Sequence, residues 1–154
     1  MPRQIVIPVN NSASAQAAVD WTIANLINPQ TDCIVLLNVR PEPSFGEYKM
    51  EASWEVYVEE PDLVQDHVNK IHSHQLLQYF VDQFIVNGIS AKGIALRGGV
   101  LTELVWKINS LIPRPDLVIV GHENLSAVSR LLFHTSTSSY LARNLRIPVT
   151  VTRT

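Results

Sequence analysis

Apolar residues in this chain alternate between short continuous runs and longer series at helical spacing. Ile5-Val6-Ile7-Pro8-Val9 is a β-branched, nearly continuous run, the pattern of a central strand buried on both faces. Asn10-Asn11-Ser12 ends it with turn-forming and capping residues. Ala15, Ala18, Val19, Thr22, Ile23 and Leu26 then recur at helical spacing until Asn28-Pro29 closes the series. Cys33-Ile34-Val35-Leu36-Leu37-Asn38-Val39 reads as a second strand, which completes a βαβ unit. A long helix is predicted from about Leu63 to Asn87, with Val64, Val68, Ile71, Leu77, Val81 and Phe84 on its apolar face and Asn87-Gly88 at its end. Ile89 to Leu96 reads as a third strand. Gly98-Gly99 turns the chain into a helix carried by Leu101, Leu104, Val105, Ile108 and Ile112, which Pro113-Arg114-Pro115 stops. Leu117 to Val120 is a buried strand running into Gly121. A last helix, about Ser136 to Leu145, precedes the final strand Ile147-Pro148-Val149-Thr150-Val151-Thr152.

Five strands alternating with four helices predict one α/β domain over residues 1–154, a doubly wound five-stranded parallel sheet with helices on both faces. Ligands of such sheets bind beyond the strands' carboxyl ends, at a topological switch point. Chemistry is therefore expected after Val9, Val39, Leu96 and Val120. Residues 40–61 break the rhythm with three prolines, one glycine and the aromatics Phe45, Tyr48, Trp54 and Tyr57. An irregular connection longer than about 15 residues is uncommon in a compact domain, and the aromatics argue against simple disorder. The segment reads either as a flap over the sheet edge or as a lid or partner-docking loop.

Composition narrows the class. At 46% hydrophobic and 17% charged, the chain closes a core without metals or disulfides. A formal charge of -2 offers no field to draw nucleic acid or an anionic membrane, and no apolar run approaches the ~20 residues that span a bilayer. Met1-Pro2-Arg3-Gln4 leads straight into a strand pattern rather than a signal-peptide core. The single Cys33 excludes an internal disulfide and reads as a buried structural thiol. A cytoplasmic location is expected.

The segment Val120-Gly121-His122-Glu123-Asn124, then Phe133-His134-Thr135-Ser136 ahead of a helix and an Ile-Pro-Val strand, resembles the signature of the universal stress protein family. There, Gly-x2-Gly-x9-Gly-(Ser/Thr) wraps the phosphates and ribose of an adenine nucleotide. The resemblance covers essentially the whole chain: Ile-Val-Ile-Pro-Val, Leu-Leu-Asn-Val, Gly98-Gly99, Pro-Asp-Leu-Val-Ile-Val-Gly and Ile-Pro-Val-Thr-Val stand in the family's order and spacing. Glycines let backbone N–H groups approach phosphate, and a helix N-terminus adds partial positive charge. By this resemblance Gly121 matches the first glycine, Asn124 stands at the second and His134 at the third, while Thr135 keeps the hydroxyl position. Counting back from Pro148 puts Thr135, not His134, at the third glycine. Pro8, Val9 and Val39 match adenine-side backbone positions, Asn10 replaces an Asp common in the family, and Gly98, Val120, Ser136 and Thr137 complete the implied nucleotide-binding set. Asn124 tolerates the backbone angles of a turn. His134 adds bulk at a phosphate-facing position and is only partly cationic near its ordinary pKa of about 6.5. The hydroxyl run Thr135-Ser136-Thr137-Ser138-Ser139 suits both helix capping and anion binding.

Other candidates are weaker. His67 and His74 share a helix face two turns apart, too far for a common metal, so these and His72 read as a solvated face. His122 and Glu123 follow a strand end without a third metal ligand at suitable spacing. The chain has no Walker A loop, Gly-x-Gly-x-x-Gly fingerprint or Ser-Gly-Gly-x-Asp loop. The resemblance thus implies a stress-response regulatory dimer, joined through residues 147–152. It would bind ATP, AMP or another adenine nucleotide, with Mg²⁺ as the candidate companion ion and slow ATP hydrolysis as the most activity expected. The alternative is an interaction protein of the same fold that binds no nucleotide, to which Asn10, Asn124 and His134 point.

Overall fold

The computed structural model describes residues 2–43, 45–47, 59–61, 63–122 and 137–153. The elements run β1 (Arg3–Pro8), α1 (Ala13–Asn25), β2 (Asp32–Arg40), β3 (Phe45–Glu47), β4 (Glu59–Pro61), α2 (Leu63–Val86), β5 (Ser90–Arg97), α3 (Val100–Ser110), β6 (Leu117–Gly121), α4 (Thr137–Asn144) and β7 (Val149–Thr152). Five strands form one parallel sheet in the order β5-β2-β1-β6-β7. The first crossover steps from β1 to β2, and a later one returns past β1 to β6. The switch point therefore lies between the carboxyl ends of β1 and β6.

Side-chain parity explains the continuous apolar runs. Ile5, Ile7 and Val9 pack with Ile34 and Leu36 against Ala18, Val19, Leu77, Phe80 and Phe84 of α1 and α2. Val6, Val35, Leu37, Val118 and Val120 pack on the opposite face against Leu104 and Ile108 of α3 and Leu141 of α4. Both faces are covered, so the middles of the central strands are apolar at consecutive positions, Ile5 to Ile7, Ile34 to Leu37 and Val118 to Val120.

Four sequence expectations need correction. The stretch 40–61 is not wholly irregular, because β3 and β4 pair antiparallel, Phe45 opposite Pro61 and Glu47 opposite Glu59. Tyr48, Trp54 and Tyr57 lie outside the described residues. Val64, Val68 and Ile71 are exposed, Val64 by 78%; the buried face of α2 is Ser73, Leu77, Phe80 and Phe84. A 24-residue helix is about 36 Å long, whereas the eight residues of β5 span about 26 Å. The first turns of α2 thus run beyond the sheet. Similarly, α3 stops at Ser110 and leaves Ile112 92% exposed. Cys33 is half-buried rather than buried.

Candidate functional site

The carboxyl ends of β1, β2 and β6 and the first turns of α1, α3 and α4 surround one cavity of about 100 Å³. β1 delivers Pro8, Val9 and Asn10 to it, β2 delivers Leu37, Asn38 and Val39, and β6 delivers Val120 and Gly121. Ser14 and Ala15 enter from α1, Val100 and Leu104 from α3, and Thr137 from α4. Three helix N-termini thus converge on a lining that, among the described residues, holds no charged side chain, an arrangement whose partial positive charge favours an anion.

Local hydrogen bonds fix this edge. The Val9 N–H donates to Leu37 O at 2.8 Å, and Val9 O accepts from Asn38 Nδ2 at 2.8 Å. Asn38 Oδ1 in turn accepts from Ser73 Oγ at 2.6 Å, so a buried amide ties β1, β2 and α2 together. Val9 therefore keeps one carbonyl lone pair for any further partner. Ser12 caps α1, accepting from the Ala15 N–H at 3.2 Å, and donates its own proton to Asn10 Oδ1. The Gly99 cap of α3 has no side chain to offer, so its first-turn N–H groups lack a side-chain acceptor there.

Gly121 sits against α1. A Cβ at this position would fall on the Ser14 carbonyl oxygen and within 2.8 Å of its carbon. Only a residue without a side chain lets β6 and α1 meet here.

An ion network stands at the ends of β2 and β5. Arg40 Nε donates to Asp66 Oδ1 at 3.1 Å, Arg97 lies 3.4 Å from Asp66 Oδ2 and 3.7 Å from Glu42. Burial pushes the Asp66 carboxyl up, but the Arg40 hydrogen bond and the charges of Arg40 and Arg97 outweigh it and hold it below the usual value.

The structure brings Pro8, Val9, Asn10, Val39, Val120, Gly121 and Thr137 of the sequence-derived set around the cavity. Gly98 is not in its lining. With φ +139° it turns the chain between β5 and α3, and its N–H donates to Arg40 O at 2.9 Å. Asn124, His134, Thr135 and Ser136, like Glu123, lie outside the described residues. The His122 N–H donates to Thr152 O and extends the β6–β7 ladder. His67, His72 and His74 are exposed, and the described residues contain no cluster of three metal-ligating side chains. The sequence reading missed Ser14, Ala15, Leu37, Asn38, Val100 and Leu104. Asn38 alone carried a signal, as a polar residue inside an apolar strand.

The chain matches no protein-family model and no curated protein by sequence. Solved structures are similar to it over nearly full length. A universal stress protein family protein from Arabidopsis thaliana with AMP bound is 20% identical, with a TM-score of 0.68 over 99% of this chain and 92% of that one. UspA from Lactobacillus plantarum is 18% identical, with a TM-score of 0.68 over 98% and 97%. A universal stress protein in complex with cAMP is 17% identical, with a TM-score of 0.62 over 99% and 98%. The five-stranded parallel sheet with its helices matches these structures over nearly their full length, and this chain has the universal stress protein fold.

Proposed function

We propose that this protein is a stress-response regulatory module that holds an adenine nucleotide, AMP or ATP, in the switch-point cleft and acts as a dimer joined along β7. The observation that carries the reading is the convergence of Pro8, Val9, Val39, Gly121 and Thr137 on one cavity, in a fold whose solved examples include an AMP and a cAMP complex. The residues present suit the group. Val39, Val100 and Leu104 give apolar walls for a base, and the first turns of α1 and α4 give N–H donors for phosphate. The cavity is smaller than the roughly 300–1,000 Å³ of a whole-ligand site. A nucleotide seated here would extend outward past the strand ends. Among the described residues no carboxylate lines the cavity, so Mg²⁺ arriving with ATP would be held there chiefly by the phosphates. The chemistry is binding: among the described residues of the lining no side chain is a general base for hydrolysis.

A second reading, an interaction protein whose cleft takes no nucleotide, is favoured by one observation. The Ser14 contact explains Gly121 without any ligand. Calorimetry separates the two. Saturable heat with AMP or ATP, and stabilisation approaching about 2.7 kcal/mol at a hundred times Kd, are expected. The absence of both at millimolar AMP, cAMP and ATP would leave the second reading standing, as would a purified protein that releases no adenine nucleotide on denaturation.

A further inference from the structure

The amino-terminal edge of the sheet, opposite the switch-point cleft, holds a second cavity of about 310 Å³, at the lower end of small-ligand sites. Gln4, Cys33 and Lys92 line it from three adjacent strands. Each stands two residues before an apolar side chain of the α3–α4 core, namely Val6, Val35 and Ile94, so all three are placed on that face of the sheet. Val35 and Pro113 contribute apolar wall.

The polar groups are few and specific. Gln4 is 7% exposed, and its Oε1 is sealed from solvent without a hydrogen-bond donor. Its main chain is pinned on both sides of the peptide, the N–H donating to Asp116 Oδ2 and the carbonyl accepting from the Asp116 N–H, each at 2.8 Å. The backbone is therefore fixed, while the side-chain amide keeps its own torsions. Buried side-chain oxygens without a donor are rare in folded proteins, and a ligand proton would satisfy this one once the amide turns about its torsions towards the cavity. Lys92 is exposed on the far strand; among the described residues it is the only charged one of the lining, and no carboxylate pairs with it. The half-buried Cys33 thiol lies between them on β2.

We infer that this cavity binds a small monocarboxylate with an apolar body and one hydroxyl or N–H donor. The donor meets Gln4 Oε1, the body lies against Val35 and Pro113, and the carboxylate reaches the Lys92 ammonium. One cation and one orphaned acceptor match one negative charge and one donor. The site owes nothing to the nucleotide cleft at the other edge.

The probe is 4-hydroxyphenylacetate, titrated into the ¹⁵N-labelled full chain. Saturable amide shifts are expected at Gln4, Cys33, Ser90 and Lys92, with AMP leaving the affinity unchanged. Saturating probe is expected to slow alkylation of Cys33 by iodoacetamide several-fold. Gln4→Leu, apolar and of similar volume, is expected to weaken the probe about tenfold, the worth of one hydrogen bond. Lys92→Gln is expected to weaken it about fivefold, on the scale of an exposed ion pair. Shifts that do not saturate, saturable shifts confined to the carboxyl edge, an unchanged alkylation rate, or a Lys92→Gln protein that binds like the parent would each overturn the inference. Lys92 is exposed, so its variant and the alkylation rate decide the matter even if Gln4→Leu fails to fold. AMP binding, measured in the same samples, reports separately on the cleft.

Discussion

At the scale of single residues, Gly121 shows how one position serves packing and chemistry together. In the sequence it reads as the first glycine of a phosphate-binding signature. In the fold it is also the point where the end of β6 touches the backbone of Ser14, a neighbour more than a hundred positions away. No local pattern announces that contact. Because the obstacle to a side chain is backbone rather than a flexible tip, Gly121→Ala must displace the first turn of α1 or the end of β6. Overpacking of this kind costs about 1–3 kcal/mol. The variant is expected to unfold at lower urea than the parent with no nucleotide present, and an unchanged midpoint would mean that α1 yields freely. Asn38 belongs to the same scale. Its amide was visible as a polar interruption of an apolar strand, but its partners, Val9 O and Ser73 Oγ, come from other elements and could not be read from spacing.

Between elements, the sheet's amino edge is tied by Arg3 and Asp32. Arg3 donates to Asp32 Oδ2 at 2.7 Å and Oδ1 at 3.1 Å, and to Leu26 O at the end of α1 at 3.2 Å. The Asn28 N–H donates to Asp32 Oδ2 at 2.8 Å, so one carboxylate joins β1, β2 and the turn after α1. Burial pushes the Asp32 carboxyl up, yet the hydrogen bonds from Arg3 and Asn28 and the Arg3 charge outweigh it and hold it below the ordinary value. A carboxylate lowered in the folded state stabilises fully above its unfolded value, about 3.9. That contribution is lost as pH falls through the unfolded value towards the folded one. Asp32→Asn is expected to cost about 2 kcal/mol at neutral pH, with the gap to the parent closing on acidification. Urea melts at pH 7 and at pH near 3 check it; an equal gap at both refutes the electrostatic account. The elements themselves were legible because strand and helix periods are local. Their overreach was not: the exposure of Val64, Val68 and Ile71 follows from the length of α2 against the sheet it covers, and the β3–β4 pairing joins residues separated by a long intervening segment.

For the whole molecule, the sheet presents a cleft at its carboxyl edge, a cavity at its amino edge and, among the described residues, two edge strands, β5 and β7. The cleft's position followed from element order alone, since strand–helix alternation fixes where a doubly wound sheet reverses. Its inner lining from α1 and α3 did not, because that depends on how far each helix leans over the strand ends. Of the two edge strands, β7 is paired with β6 on one side and with no strand of the described residues on the other. Exposed edges of β-branched residues invite pairing, and Val149-Thr150-Val151-Thr152 contains neither a charge nor a proline to discourage it. The direction of each peptide group is set. Pro148 O accepts from the Val118 N–H and Thr152 O from the His122 N–H, so the even-numbered residues face β6 and, by the two-residue period, Val149 and Val151 direct their N–H groups outward. Val151 is 38% exposed. Val151→Pro therefore removes an outward donor while sparing every bond to β6, as tolerated on edge strands. If β7 joins two copies, the parent is expected to sediment as a dimer and Val151→Pro as a monomer with a nearly unchanged urea midpoint. Val149 lies one pleat earlier on the same flank, so Val149→Pro is expected to act alike, whereas Thr150→Pro, which strikes the β6 ladder, is expected to lower stability as well. A Val151→Pro protein that sediments like a dimeric parent would place the interface elsewhere, and a parent monomeric at every concentration would mean that β7 remains a solvent-facing edge.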